Sequence, residues 1–154
     1  MMRTIVIFLA TGAYTGFVPI APGTAGSVVG LVLARLVLGW ANAHVWIAIA
    51  LFAGAFALGC LIARRAEAIF GGHDSSHIVL DEVLGMIATM FLNPLDLIHL
   101  VLGFALFRLF DIVKLFPASL IDRRMPGGLG VMLDDLAAAV YANIALRFVA
   151  HLLV

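Results

Sequence analysis

Residues 45–63, VWIAIALFAGAFALGCLIA, run for 19 positions without a charged side chain. A helix needs about 20 apolar residues to cross a hydrocarbon core of about 30 Å. This run is therefore read as a membrane-spanning helix. Arg64 and Arg65 follow at once, and Trp40 and Trp46 flank the other end. Basic residues stay cytoplasmic and tryptophans anchor at the interface, which puts the Arg64 end inside and the Trp end outside. Composition agrees: 64% of the 154 residues are hydrophobic and 12% are charged, against about 45–50% and about 25% in soluble domains. A soluble domain of this size buries only about 68–70% of the surface its unfolded chain exposes. So apolar a chain is neither an ordinary water-soluble globule nor disordered. Nine basic residues balance nine acidic ones, so bulk attraction to nucleic acid is not expected. The single cysteine, Cys60, excludes an internal disulfide and a four-cysteine zinc site, and reads as a packing residue.

The other segments thread from that helix. Residues 27–39 run outward to the Trp40–His44 turn, and residues 4–18 form an earlier apolar stretch. Arg3 ahead of that stretch gives it the outline of a signal peptide, but no small-residue cleavage site precedes a soluble domain. Pro19-Ile20-Ala21-Pro22-Gly23 separates the two stretches and is expected to be a loop or re-entrant turn at the inner surface. After Arg65 comes a polar loop over residues 71–77. A helix over 78–92 then climbs outward and stops at Asn93-Pro94. A helix over 97–113 returns inward, a second cytoplasmic loop carries Arg123-Arg124 and Pro126-Gly127-Gly128, and a last helix over 131–153 leaves outward. The expected fold is one all-α, polytopic membrane bundle over residues 1–154, with on the order of five to six helices, some short or re-entrant.

This threading gathers charge at one end. Asp81 and Glu82 open an outgoing helix, Asp111 closes an incoming one, and Asp134 and Asp135 open the last; Arg108, Lys114, Arg123 and Arg124 accompany them. An ionisable group within a membrane helix costs about 2.5–3.5 kcal/mol at the helix centre, so these need partners, a cavity or a metal. Oxygen donors converging from three helices suit a hard cation, above all Mg²⁺, which completes its shell with water and substrate phosphate. Arg and Lys bind the remaining phosphate oxygens. The glycine stretch from Gly127 to Gly130, just before a helix, offers backbone N–H groups to an anion. The same residues also admit a purely structural reading as buried ion pairs, with Asp111 joined to Arg108 or Lys114. The histidines make a poor zinc site: His44, His99 and His151 lie outward, while His73 and His77 are loop residues near the cluster with a conceivable proton-transfer role.

Three blocks carry a resemblance. GFVPIAPGTAGS at Gly16–Ser27, HDSSHIVLDEVLG at His73–Gly85, and the run from Phe107-Arg108 through Asp111, Lys114 and Asp122-Arg123 to Gly127-Gly128 and Asp134-Asp135 are similar to the motifs of phosphatidylglycerophosphatase A. Two positions depart from the family pattern: Leu115 follows the lysine where a proline is usual, and the loop at Ser75–His77 differs from commoner versions. The resemblance implies removal of the terminal phosphate from phosphatidylglycerophosphate, with Mg²⁺ as cofactor, by a multi-pass protein of the bacterial inner membrane whose site faces the cytoplasm. It makes Asp81, Glu82, Asp134 and Asp135 the metal-ligand candidates. Asp111, with Asp81 and Asp135, is a catalytic candidate, as a ligand, a base for water or an aspartyl-phosphate former. Arg108, Lys114, Arg123, Thr24, Ser27 and Gly128 are the substrate-binding candidates. Two alternatives stand beside it. A membrane cation or proton transporter would spread its carboxylates through the bilayer depth. A Mg²⁺-dependent lipid-headgroup transferase would need a nucleotide-headgroup pocket.

Overall fold

The computed structural model describes residues 2–41, 43–72, 75–125 and 127–153, the side chains at 122, 123 and 153 excepted. Among these residues the chain forms α1 (Met2–Ala10), α2 (Pro22–Ala41), α3 (Val45–Phe70), α4 (Leu80–Met90), α5 (Leu97–Val113), α6 (Ala118–Arg124) and α7 (Gly128–Leu153), with a 3₁₀ turn at Thr15–Phe17 and no strand. The all-α bundle is as expected, with seven helices among the described residues because the short α6 was hidden in a loop. α2 starts at Pro22 rather than Ser27, since proline's fixed φ and missing N–H suit the first helical position. α1 stops at Ala10, and Ala13 and Tyr14 adopt left-handed backbone. Its 9 residues span about 14 Å at 1.5 Å per residue, too little to cross a membrane. α3 outruns its apolar core to Phe70 and ends on Gly71 at φ 77°, the left-handed stop that glycine allows.

α2, α3 and α7 are long and apolar enough to cross a membrane. Their outward faces carry exposed Leu36, Trp46, Leu58, Ile144 and Phe148, a surface that only lipid solvates cheaply. α4 is central, held between α2 and α7 and touching α5. Met86 and Met90 from α4, Phe107 from α5 and Leu146 from α7 are fully buried together.

α4 has only 11 residues, about 16 Å at 1.5 Å per residue, and ends inside the bundle. A helix end leaves carbonyls unpaired, and α7 satisfies them. Asn143 Nδ2 donates to the carbonyls of Ala88 (3.2 Å), Thr89 (2.8 Å) and Phe91 (2.8 Å). Arg147 donates to Phe91 O at 3.1 Å and to Asn143 Oδ1 at 2.9 Å. The chain then turns at left-handed Leu92 and enters α5, whose start is capped by the Asp96 carboxylate accepting from Ile98 N and His99 N.

Candidate active site

The starts of α2, α4 and α7 and the end of α5 meet around a cavity of about 330 Å³. Its wall takes Ala21, Pro22 and Gly23 from α2 and the turn before it, Asp81 and Glu82 from α4, Arg108 and Asp111 from α5, and Asp134 and Asp135 from α7; Lys114 closes it at the end of α5. Asp81, Asp111, Asp134 and Asp135 are buried. A larger apolar cavity of about 480 Å³ lies among α2, α3, α4 and α7, lined by residues such as Trp40, Leu51 and Ile144. It has no titratable wall.

The five carboxylates fall into two kinds. Asp111 Oδ2 lies 2.6 Å from Arg108 Nη1, and Asp134 Oδ2 lies 2.6 Å from Lys114 Nζ. Asp81, Glu82 and Asp135 form the other group: one oxygen from each lies within 4.8 Å of the others. Asp81 Oδ1, Glu82 Oε2 and Asp135 Oδ2 are buried with no hydrogen-bond partner among the described residues. Three carboxylates so close repel one another when ionised unless a cation sits between them, and an unmatched buried polar atom normally has a partner. The donor set, all oxygen and all acidic, fits Mg²⁺.

Arg108 ties the two kinds together. Its Nη1 also lies 3.9 Å from Glu82 Oε1 and donates to Ser27 Oγ at 3.4 Å, while its Nε has no partner among the described residues. Ser27 donates to the Gly23 carbonyl at 2.9 Å, so its hydroxyl supports Arg108 from beneath. Gly23 leaves the Glu82 carboxylate its place: a Cβ there would collide with Glu82 Oε1 and lie 3.4 Å from Arg108 Nη1, so the carboxylate would have to shift. Lys114 reaches Asp134 from the left-handed cap of α5, φ 45° and ψ 65°.

Other expected site residues stand apart. Thr24 is half-buried on α2 but does not line the cavity, and Gly128 packs on α3, where a Cβ would come within 2.6 Å of Cys60 O and Arg64 N. The glycine stretch is not a loop ahead of a helix, because Gly128 already begins α7, and the Gly130 N–H is taken by Gly127 O at 2.8 Å. His77 holds the Gly16 carbonyl through Nδ1 at 3.0 Å and packs between Phe17 and Phe70, away from the wall. The Arg123 side chain, His73 and the Asp74 beside it lie outside the described residues. Sequence reasoning missed Ser75 and Ser76, which line the cavity, and Gly23. Only their place beside Asp81 in the loop, or beside Pro22, pointed to them.

The sequence profile of the family described as Phosphatidylglycerophosphatase A matches residues 8–150. The chain belongs to the phosphatidylglycerophosphatase A family. A relative of that name from Haemophilus influenzae is 37% identical over 137 residues, covering 88% of this chain and 83% of its own length. One from Escherichia coli, also so named, is 32% identical over 146 residues, covering 93% and 82%. A third, from Bacteroides thetaiotaomicron, is 34% identical over 143 residues, covering 90% and 89%, and is named, as a provisional assignment, a phosphatidylinositol-3-phosphatase. No solved structure matches the chain significantly. Family membership makes this chain one of a group of phosphoric monoester hydrolases, and the cavity with its five carboxylates, Arg108 and Lys114 is the candidate site.

Proposed function

We propose that this protein hydrolyses the terminal phosphomonoester of phosphatidylglycerophosphate, giving phosphatidylglycerol and inorganic phosphate, with Mg²⁺ held by Asp81, Glu82 and Asp135. The observation that carries the reading is the cluster of Asp81, Glu82 and Asp135, one oxygen of each within 4.8 Å of the others, with a buried unmatched oxygen on all three and an unmatched Nε on Arg108. A cation and a phosphate oxygen complete both. Phosphomonoester hydrolysis is among the slowest uncatalysed reactions, so charge neutralisation and positioning carry most of the catalysis. Mg²⁺, when bound, neutralises phosphate charge and polarises the phosphoryl group. Arg108, whose Nη1 is already fixed by Asp111 and Ser27, offers its free edge to an equatorial oxygen. Lys114, at the end of the same helix, adds a point charge. Asp111 orients the attacking water and takes its proton as the oxygen bonds to phosphorus; the phosphorus–glycerol oxygen bond breaks, and the departing oxygen takes that proton back from Asp111 to become the product hydroxyl. Asp134, neutralised by Lys114, is a support of that lysine more than a ligand.

The three candidate spans support a multi-pass protein of the bacterial inner membrane. Arg64, Arg65 and Arg124 at the cavity end support a site facing the cytoplasm. The transporter reading gains nothing, since the five clustered carboxylates line one cavity at one end and Asp96 is exposed at the far end of α5.

The test is phosphate release by purified protein in detergent from phosphatidylglycerophosphate, phosphatidic acid and phosphatidylinositol 3-phosphate, with Mg²⁺ and with chelator. Chelator-sensitive release, restored by Mg²⁺ and fastest on phosphatidylglycerophosphate, is expected. Protein inert toward every lipid phosphomonoester would return the transporter reading to first place. For orientation, cysteines at Ser76 and Ala43 in a Cys60→Ala background are probed with an impermeant thiol reagent on spheroplasts. Labelling at 43 and protection at 76 are expected.

A further inference from the structure

The cavity wall is sorted by chemistry. Its carboxylates and its two cationic side chains come from α4, α5 and α7. Among the described residues that line it, Ser75 and Ser76 alone bear side chains that are polar without charge. Both sit in the loop between α3 and α4, six and five residues ahead of Asp81. That loop is fastened from behind. Ile78 N donates to Ser75 O at 2.8 Å, and Val79 N donates to Ala10 O at 2.9 Å. His77 Nδ1 holds the Gly16 carbonyl at 3.0 Å, and its ring packs on Phe17 and Phe70. None of Ala10, Gly16, Phe17 and Phe70 lines the cavity, so these contacts fix the loop without occupying its cavity side. Ser75 Oγ accepts from His77 N at 3.5 Å, the turn in which a serine oxygen takes a backbone donor two residues on. A hydroxyl engaged in this way keeps its proton to donate and a lone pair to accept.

We propose that Ser75 and Ser76 recognise the free hydroxyl of the substrate's terminal glycerol, and so select a polyol phosphate headgroup over a phosphate borne directly on diacylglycerol. This rests on the phosphatase reading for the place of the phosphate. In phosphatidylglycerophosphate that hydroxyl sits on the carbon next to the one that carries the terminal phosphate. With the phosphate against Arg108 and the oxygen triad, the hydroxyl enters the same cavity. It is donor and acceptor at once, and serine matches both capacities. Arg108 and Lys114 only donate, and an ionised carboxylate only accepts. A phosphate borne directly on diacylglycerol has no hydroxyl at that position, and a site that pairs a hydroxyl disfavours the analogue without one.

The test uses the full chain in detergent micelles with Mg²⁺ and two lipids: phosphatidylglycerophosphate, and its analogue with hydrogen in place of the free hydroxyl. Wild type is expected to favour the first about tenfold in kcat/KM, the size of one or two neutral hydrogen bonds. In the Ser75→Ala, Ser76→Ala double variant the ratio falls to about one, the loss falling on the hydroxyl substrate. Ser76→Ala alone, which leaves the Ser75 turn intact, lowers the ratio about threefold. A wild type without preference, or a ratio unmoved in both variants, overturns the proposal. Equal loss on both lipids also overturns it, since the serines would then serve the phosphate or the shape of the loop. Protein that releases phosphate from neither lipid removes the phosphatase reading and this proposal with it, whereas release with an unmoved ratio removes the proposal alone.

Discussion

Gly23→Ala adds one methyl group to the first turn of α2, and the structure says where it goes. The new Cβ collides with Glu82 Oε1 and comes within 3.4 Å of Arg108 Nη1. Ordinary contact lies near 3.5 Å, so the carboxylate must retreat by about 1.5 Å. A shift of about 1 Å in a catalytic group costs on the order of 10²-fold in rate. Stability moves less: overpacking costs about 1–3 kcal/mol, against a helix-propensity gain of about 1 kcal/mol over glycine. The variant therefore folds, with a melting temperature in detergent within a few degrees of wild type, and loses about two orders of magnitude in kcat for phosphate release. Gly39→Ala is the matched control on the same helix, because a Cβ there meets nothing within 4 Å, and it keeps full activity. Glu82→Asp in the Gly23→Ala background shortens the displaced side chain and recovers part of the loss. Wild-type turnover in Gly23→Ala would refute the placement of Glu82 in the reacting centre.

Asp111→Asn loses most turnover yet still binds the phospholipid, whereas Arg108→Ala and Lys114→Ala raise KM as well; phosphate release measured beside vesicle binding separates them. Asp81→Asn and Asp135→Asn abolish Mg²⁺-dependent release without lowering the melting temperature, since each removes a like charge from a crowded triad, and unfolding of either would favour a structural role. Asn143→Ala strips three donations from the end of α4, but Phe91 N, Asn93 Nδ2 and Arg147 still reach the same carbonyls, so it costs about 1 kcal/mol, read as a slightly lowered melting temperature in detergent. Desolvation pulls the Asp96 carboxyl up, but hydrogen bonds from the His99 backbone and ring outweigh it and hold the group below its usual range. Its contribution to stability is therefore complete at neutral pH and is lost as pH falls through the depressed value; Asp96→Asn flattens that acid limb of the melting curve.

α3 was legible because 19 uncharged residues leave a membrane chain little choice. α5, at Leu97–Val113, matched its expected bounds because Asn93-Pro94 and Lys114 punctuate it. The site carboxylates were legible for a related reason: charge inside apolar sequence is expensive and stands out. The helix starts at Pro22 and Gly128 were not, since proline and glycine mark loops as often as first turns. α6 is seven residues long and lacks the apolar period that reveals a helix. The division of the acidic groups was hidden too. Arg108 and Lys114 each have several carboxylates within sequence reach, and only the packed bundle joins Arg108 to Asp111 and Lys114 to Asp134.

The ending of α4 within the bundle has a consequence for biosynthesis. A full-length span leaves the translocon with its hydrogen bonds already closed, but α4 does not. Its last carbonyls are met in part by Asn143 and Arg147, more than fifty residues later in the chain. Until α7 is in place, those carbonyls keep only local donors such as Phe91 N on Ala88 O and Asn93 Nδ2 on Thr89 O, and an unmatched polar group within the membrane costs several kcal/mol. The same late helix brings Asp135 to the oxygen triad and Asp134 to Lys114. Completion of the fold and completion of the charge cluster are thus one event. A nascent chain that stalls before α7 is inert, and it exposes both an incompletely matched helix end and the core of Met86, Met90 and Phe107 that Ala139, Ala142 and Leu146 cover.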